Sequence, residues 1–179
     1  MTGNVHSILG TSAAVAITIC APHISMFGIE LYPIIGVLPA YLGSWLPDID
    51  IEQSKLGQKA KWLSKHLTHR GITHTLLIPL LLTVLMFIVG TIPVVPSIIF
   101  GFLVGYLCHI FADMFNRKGV PILWPFYKKK IHIASVKTAS KAQQIVFIVI
   151  WEVVLALWII WRYNVLEMVK NFFMTKPPA

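Results

Sequence analysis

Residues 96–115 read PSIIFGFLVGYLCHIFADMF, and Asp113 is the only charged side chain in this stretch. The run has the length of an α-helix that crosses the hydrocarbon core of a bilayer, about 20 residues. His109 and Asp113 are four residues apart, so a helix places both side chains on one face near its end. Ionisable groups this close to an apolar span are costly, which favours a functional pair. The alternative is a hydrogen-bonded His–Asp pair that only stabilises a helix bundle.

The composition is that of a membrane protein. Of the 179 residues, 56% are hydrophobic and 12% are charged, and the mean hydropathy is +0.75. Soluble domains average about 25% charged residues. We therefore predict an all-α, polytopic helix bundle in which residues 1–170 form one transmembrane domain and residues 171–179 form a disordered tail. The two cysteines, Cys20 and Cys108, lie in apolar segments, which argues against a disulfide framework and a CxxC zinc site.

Charge indicates how the chain is threaded through the membrane. Lysine and arginine are concentrated in two predicted loops, with five in residues 51–74 and seven in residues 116–144. The positive-inside rule therefore places both loops and the N-terminus in the cytoplasm of a prokaryotic cell. Anionic lipid headgroups suffice as partners for the net charge of +8, so we expect no specific nucleic acid. Five apolar segments are the predicted spans: residues 8–29, 31–46, 75–92, 96–115 and 145–163.

Seven residues of the types that bind metal ions occur in four clusters, and every cluster lies at one end of a predicted span. When the spans cross the membrane alternately, all four clusters reach the cytoplasmic side. The alternation follows from lysine and arginine, so this convergence is an independent indication of a metal site. The predicted ligands are His6, Asp48, Asp50, His69, His74, His109 and Asp113.

Asp48 and Asp50 follow a predicted helix stop at Pro47. In an extended backbone, side chains two residues apart point to opposite sides. One carboxylate would then bind metal, while the other bridges to a second ion or orients a histidine. A helix cap or a turn is the alternative for this pair.

The string HRGITH, residues 69–74, contains two predicted ligands around Arg70. Gly71 disfavours a regular helix there, and Thr73 is a possible N-cap of the third span. In a hydrolase, Arg70 would hold a phosphate and stabilise developing negative charge. Its alternative role is an anchor in a basic cytoplasmic loop.

The ligand types indicate a transition metal. Imidazole and carboxylate together suit zinc, and also manganese or iron, and they argue against calcium or magnesium alone. Seven ligands exceed one four-coordinate site. We therefore expect two or more divalent ions, most simply zinc. Two ions about 3.5–4 Å apart would activate water and neutralise a phosphoryl oxygen.

These motifs resemble the YdjM-like family of membrane-bound metal-dependent hydrolases. The similarity extends from about His6 to Pro125. It is carried by His6 with Gly10, PDID at 47–50, HRGITH at 69–74, HIFAD at 109–113, and Gly119, Pro121 and Pro125. The resemblance implies metal-dependent hydrolysis. A distant similarity of that family to the zinc-dependent phospholipase C and single-strand nuclease superfamily implies a phosphoester substrate.

The predicted protein is therefore an enzyme that hydrolyses a phosphoester or a lipid-linked substrate at the cytoplasmic membrane face. Asp50 and Arg70 are its predicted catalytic residues, and membrane lipids are its expected partners. Two other functions use the same ligands: a metal transporter or sensor, and a membrane scaffold with a structural metal. Glu152, in the middle of the last span, is a further functional candidate, unless it is protonated or paired with another helix.

Overall fold

The computed structural model describes residues 2–68, 70–134 and 140–163, together with Met168 and Asn171. The predicted ligand His69 and the end of the predicted tail, residues 172–179, lie outside the described residues. Three 3₁₀ turns connect the helices, at Pro33–Gly36, Pro47–Asp50 and Ile72–His74. The other elements are α1 (Gly3–Cys20), β1 (Ile24–Met26), β2 (Ile29–Leu31), α2 (Val37–Gly43), α3 (Lys61–His66), α4 (Leu77–Ile88), α5 (Val94–Met114) and α6 (Lys141–Tyr163).

Three helices of the described chain are long and apolar enough to cross a membrane: α1, α5 and α6. The other two predicted spans form shorter helices. With 12 residues, α4 is about 18 Å long, against a hydrocarbon core of about 30 Å. The segment predicted at residues 31–46 begins with a 3₁₀ turn at Pro33 and continues as the seven-residue α2. The structure is thus a mostly helical membrane protein, and the count of five spans stays a prediction.

The prediction that the first span reaches residue 29 was wrong. The helix α1 ends at Cys20, and Pro22 follows, which lacks the N–H that a continuing helix needs. β1 and β2 then pair antiparallel. Phe27 (φ 52°) and Gly28 (φ 79°) connect them, which is the left-handed conformation that a tight two-residue hairpin requires. This small hairpin is also a departure from the predicted all-α class.

The three long helices have defined relative directions. The side chains of Thr2 and Gln144 are hydrogen-bonded near the starts of α1 and α6, and Trp151 Nε1 donates to Ser12 Oγ (3.1 Å) further along both helices. The helices α1 and α6 are therefore parallel. By contrast, α5 is antiparallel to α1, because His109 and Asp113 near its end contact His6 in the first turn of α1. The beginnings of α1 and α6 and the end of α5 consequently lie at one end of the molecule.

Small residues bring α1, α2 and α5 into backbone contact. A Cβ atom at Gly105 would lie 2.0 Å from the carbonyl oxygen of Ala40, and one at Gly101 would lie 2.1 Å from that of Gly36. A Cβ at Gly10 would be 3.1 Å from the Cα of Gly105. Membrane helices use small residues four positions apart for such close approach. Gly101 and Gly105 are followed at the same four-residue spacing by His109 and Asp113, so this packing determines where the end of α5 lies.

The outer surface of the bundle is apolar. In α6 no described side chain is fully buried, and large hydrophobic side chains such as Trp161 (74% exposed) and Leu157 (59% exposed) face outward. A soluble monomer rarely exposes so continuous an apolar surface. We therefore expect the exposed faces of the long helices to contact lipid.

Candidate metal centre

Six of the seven predicted metal ligands converge at the end of the molecule where α1 begins and α5 ends. They come from four separate segments: the first turn of α1, the 3₁₀ turn after α2, the 3₁₀ turn before α4, and the last turns of α5. Asp48 alone retains some exposure, with 14% of its side chain accessible. The other five are buried: His6, Asp50, His74, His109 and Asp113.

The ligand atoms have spacings suited to shared metal ions. His109 Nε2 is 3.5 Å from Asp48 Oδ1, and His6 Nε2 is 3.6 Å from Asp113 Oδ1. His74 Nε2 lies 3.8 Å from Asp113 Oδ2 and 4.0 Å from Asp48 Oδ1. Two ligands of one tetrahedral zinc ion are about 3.4 Å apart, because each bond is about 2.0–2.2 Å long. Small side-chain adjustments would therefore bring these atoms into coordination distance.

The imidazole of His109 is held in one orientation. Its Nδ1 lies 2.7 Å from the carbonyl oxygen of Ser44, and because a carbonyl only accepts, Nδ1 carries the proton. The lone pair of Nε2 then points into the cluster, where this buried atom has no hydrogen-bond partner among the described residues. The ring of His6 stacks on His109 with centroids 3.7 Å apart. A backbone carbonyl that fixes the tautomer of a histidine is typical of metal-binding imidazoles.

Asp50 orients the second histidine. Its Oδ2 accepts hydrogen bonds from the backbone N–H of Arg70 (2.8 Å) and the hydroxyl of Thr73 (2.6 Å), and lies 3.3 Å from His74 Nδ1. That nitrogen is also 3.1 Å from the Thr73 hydroxyl, so Asp50 and Thr73 hold the ring together. The turn that carries Asp48 and Asp50 is a 3₁₀ turn, not the extended backbone expected, yet the two carboxylates still serve different partners. This arrangement corresponds to the alternative in which one aspartate binds metal and the other orients a histidine.

Arg70 lies inside the cluster and is bound to the protein. Its Nη2 donates to Asp113 Oδ2 (2.7 Å) and its Nη1 to the carbonyl oxygen of Gly119 (3.0 Å). The Arg70 backbone is left-handed, with φ of 58°, and the residue is 6% exposed. The sequence predicted a phosphate-binding arginine, whereas these contacts favour a guanidinium that positions Asp113.

The charge of the cluster favours a bound cation. The described part contains three carboxylates, on Asp48, Asp50 and Asp113, and one guanidinium, on Arg70. With neutral imidazoles the net charge is about −2, which is costly in a buried site without compensation. Two groups of three residues have ligand atoms close enough for one ion: His6, Asp48 and His109, and His74, His109 and Asp113. The donor set and its charge therefore fit one or two divalent transition-metal ions.

Sequence reasoning missed the residues that hold the ligands in place. Thr73, expected to cap the third span, instead binds Asp50 through its hydroxyl, and its carbonyl accepts from Tyr106. At the start of α4 it is the hydroxyl of Thr75 that accepts a hydrogen bond, from the N–H of Leu77 (3.2 Å). Ser44 contacts His109 through its backbone carbonyl, which every residue has, so no sequence signal could have identified it.

A cavity of about 320 Å³ leads to the cluster and is lined by Asp48, Asn4, Trp45 and Lys55 among other residues. It lies between the first turn of α1 and the chain that follows α2. The cluster is therefore not closed on all sides, and Asp48 is the predicted ligand on its open side.

Comparison with known proteins identified three relatives of this chain. The chain is 40% identical over 109 residues to "Inner membrane protein YdjM" of Escherichia coli (strain K12) and of Shigella flexneri, which covers 54% of this chain and 56% of each relative. These matches thus span about half the length of either relative. The chain is 30% identical over 150 residues to "Uncharacterized protein YvsG" of Bacillus subtilis (strain 168), covering 82% of this chain and 87% of that protein.

No solved structure matches the chain. The sequence profile of the family described as YdjM inner membrane protein matches residues 1–173. That match covers all four segments of the metal centre and the three long apolar helices. The chain therefore belongs to the YdjM inner membrane protein family.

Proposed function

We propose that this membrane protein is a metal-dependent hydrolase that cleaves a phosphoester at the membrane surface. The observation that supports it most is the combination of a buried cluster of oriented imidazoles and carboxylates with a cavity that reaches one of them, Asp48. A structural zinc site is closed and uses four ligands. An opening beside a potential ligand is instead typical of sites that admit a substrate.

Six residues would hold the ions: His6, Asp48, His69, His74, His109 and Asp113. Bound ions would supply Lewis-acid activation of water and of a phosphoryl oxygen. Zinc fits the ligands best, with manganese or iron as alternatives. Asp50 keeps the Nε2 atom of His74 directed at the cluster, and Arg70 keeps Asp113 in place. Among the described ligands, burial excludes bulk water from all except Asp48.

The transporter alternative is disfavoured by the packing below the cluster. A transported ion would need a polar path between the helices. The backbones of α1, α2 and α5 instead touch at Gly10, Gly36, Gly101 and Gly105. This interface leaves no room for a hydrated ion between α1, α2 and α5 beneath the site.

The test is the metal content of the purified protein, measured by elemental mass spectrometry, together with cleavage of a water-soluble chromogenic phosphodiester. We expect at least one equivalent of a transition metal per chain. His109→Ala and His74→Ala should each lose it and lower the cleavage rate at least about 100-fold, since even residues that only orient a ligand affect affinity or activity 10–100-fold. His132→Ala, an exposed histidine outside the cluster, is the matched control. Wild-type protein without tightly bound metal would overturn the proposal.

A further inference from the structure

Two cavities lie next to each other along α1. The first, which we call the headgroup cavity, is the 320 Å³ space that contains Asn4, Trp45, Asp48 and Lys55. The second, the membrane groove, has a volume of about 580 Å³ and runs between α1 and α6. Residues such as Ile8, Val15, Leu155, Ala156 and Ile159 give it an apolar lining.

The headgroup cavity is suited to an anion. Lys55 Nζ donates to Asn4 Oδ1 (3.1 Å) and lies 4.4 Å from the centroid of the Trp45 ring, so its ammonium group is held at the cavity wall. The indole Nε1 of Trp45 is buried and has no hydrogen-bond partner among the described residues. A phosphate in this space would meet the Lys55 cation, and would lie in the same cavity as Asp48 of the candidate metal centre.

The two cavities lie side by side along the interface of α1 with α2 and α6, and we call this interface the seam. Asn4 of the headgroup cavity and Ile8 and Thr11 of the membrane groove lie on the same face of α1, because they are four and three residues apart. On the opposite wall, Tyr41 lines the groove and Trp45 lines the headgroup cavity, with ring centroids 4.5 Å apart. The seam is therefore charged at the end near the metal centre and apolar along the two spanning helices.

Two buried polar atoms lie beside the apolar lining of the membrane groove. Glu152 Oε1 and Thr11 Oγ1 are buried and have no hydrogen-bond partner in the described part of the chain. Buried polar atoms in an apolar environment are costly without a partner, and a carboxyl group within a spanning helix usually has a function. An acyl chain offers neither atom a hydrogen bond, so these two atoms form a polar spot in the groove wall and not a contact of the lipid tail.

We propose that this seam binds one phospholipid molecule, with its phosphate beside Lys55 in the headgroup cavity and its acyl chain in the membrane groove. The phosphate group is then presented to the Asp48 side of the metal centre. This inference rests on the proposed function and names its substrate class. A water-soluble phosphoester would use the cavity but would have no use for the groove.

Photocrosslinking tests the inference independently of catalysis. Purified full-length protein in nanodiscs of neutral lipid is irradiated with a phosphatidate whose acyl chain carries a diazirine, and the labelled peptides are identified by mass spectrometry. Unlabelled phosphatidate, diacylglycerol and inorganic phosphate are the competitors. We expect labels on the α1 and α6 residues of the groove, and competition by phosphatidate at concentrations at least tenfold below those needed for either partial ligand.

Two variants with matched controls locate the two parts of the lipid. Ala156→Trp fills the groove and should abolish labelling, whereas Leu157→Trp, on the neighbouring lipid-facing position, should retain it. Lys55→Gln should weaken phosphatidate binding about fivefold, the effect of one exposed charge contact. Lys65→Gln removes an exposed lysine of α3 and should leave binding unchanged.

The outcomes separate this inference from the proposed function. Equal labelling of the Ala156→Trp and Leu157→Trp variants, or equal competition by diacylglycerol, would overturn the phospholipid site. Equal competition by inorganic phosphate would assign the headgroup cavity to free phosphate and likewise overturn it. Metal-dependent cleavage of a soluble phosphodiester would survive each of these results. Specific labelling of a protein that holds no metal would support the lipid site and refute the hydrolase.

Discussion

At the scale of single residues, the candidate metal centre depends on groups that hold the ligands in place and would not themselves coordinate a metal ion. Ser44 provides a carbonyl that holds His109, Asp50 holds His74, and Arg70 holds Asp113. A histidine whose ring is fixed in advance loses less entropy when it binds a metal ion. We therefore expect these three contacts to contribute to metal affinity, although the residues would not coordinate the ion.

Asp50→Asn tests this view of the site. An amide in place of the carboxylate weakens the hold on His74 Nδ1 and permits the ring to rotate or to change tautomer. We expect a 10–100-fold loss of metal affinity with insertion into the membrane unchanged, measured by competition with a chelator of known affinity. Glu52→Gln, an exposed carboxylate two residues later, serves as the control. Unaltered affinity in the Asp50 variant would show that Asp50 does not orient the ligand.

The hydrogen bonds of the β1–β2 hairpin give Glu30 a protonation state that can be tested. The Ser25 hydroxyl donates to Glu30 Oε1 (2.7 Å), and His23 contacts the other carboxylate oxygen. The hydrogen bond from Ser25, followed by that from His23, lowers the pKa of Glu30 below its ordinary value. The stabilisation by the ionised form is complete above the ordinary glutamate pKa and is lost as the pH falls through the lowered pKa.

We therefore expect hydrogen exchange in β1 and β2 to speed up on acidification below about pH 4. The effect should be small because Glu30 is exposed. Glu30→Gln should remove the pH dependence in this range, and Glu52→Gln should retain it. Identical acid profiles in wild type and Glu30→Gln would show that Glu30 ionisation does not stabilise the hairpin.

At the scale of elements, the approach of α5 to α2 determines the spacing of the metal ligands. Gly105 permits backbone contact four residues before His109, and Ala40 lies four residues before Ser44. Any side chain at Gly105 would separate the two helices at the level where Ser44 meets His109. The packing of α5 against α2 thus also determines the geometry of the candidate ligands.

Gly105→Ala should therefore impair the metal centre without changing any ligand. The added Cβ would lie 2.0 Å from the oxygen of Ala40, and overpacking of this kind costs about 1–3 kcal/mol. We expect a lower midpoint of thermal unfolding in detergent and a reduced metal content. Gly3→Ala is the control, since a Cβ there meets nothing within 4 Å. A Gly105 variant with wild-type stability and metal content would contradict this account of the packing.

At the scale of the whole molecule, the described part of the basic segments lies at the same end as the metal centre. The segment before α4 carries Arg70 into the cluster, and the segment after α5 contributes the carbonyl of Gly119. The hairpin with Phe27 lies at the other end of α1. If the positive-inside rule holds for this chain, the metal centre faces the cytoplasm and the hairpin faces outward.

Cysteine accessibility in intact cells and in inverted vesicles checks this orientation. A membrane-impermeant maleimide should label Phe27→Cys from outside the cell, because this side chain is 84% exposed. Lys59→Cys and Lys128→Cys should be labelled only in inverted vesicles. The native Cys20 is buried and provides the background value. The reverse pattern would place the metal centre on the outer face.

The sequence by itself was enough for the membrane class, the family, and six of the residues that converge in the cluster. Hydropathy and charge act locally along the chain, so 96–115 predicts a span and the basic loops predict an orientation. Four-residue spacing places His109 and Asp113 on one face of a helix because helical geometry is the same in every protein. The hairpin after Cys20 and the shortness of α2 and α4 were not evident, because apolar residues alone do not distinguish a span from a short buried helix.

Only the tertiary structure decided the role of each residue within the cluster. Arg70 joins Asp113 across 43 positions, His109 joins Ser44 across 65, and the backbone of Arg70 joins Asp50 across 20. Such pairings depend on how closely the helices approach, and that distance is determined by contacts between glycines of different segments. The position of the headgroup cavity next to the membrane groove has the same origin. It arises from the packing of α1 against α2 and α6, which no local pattern in the sequence encodes.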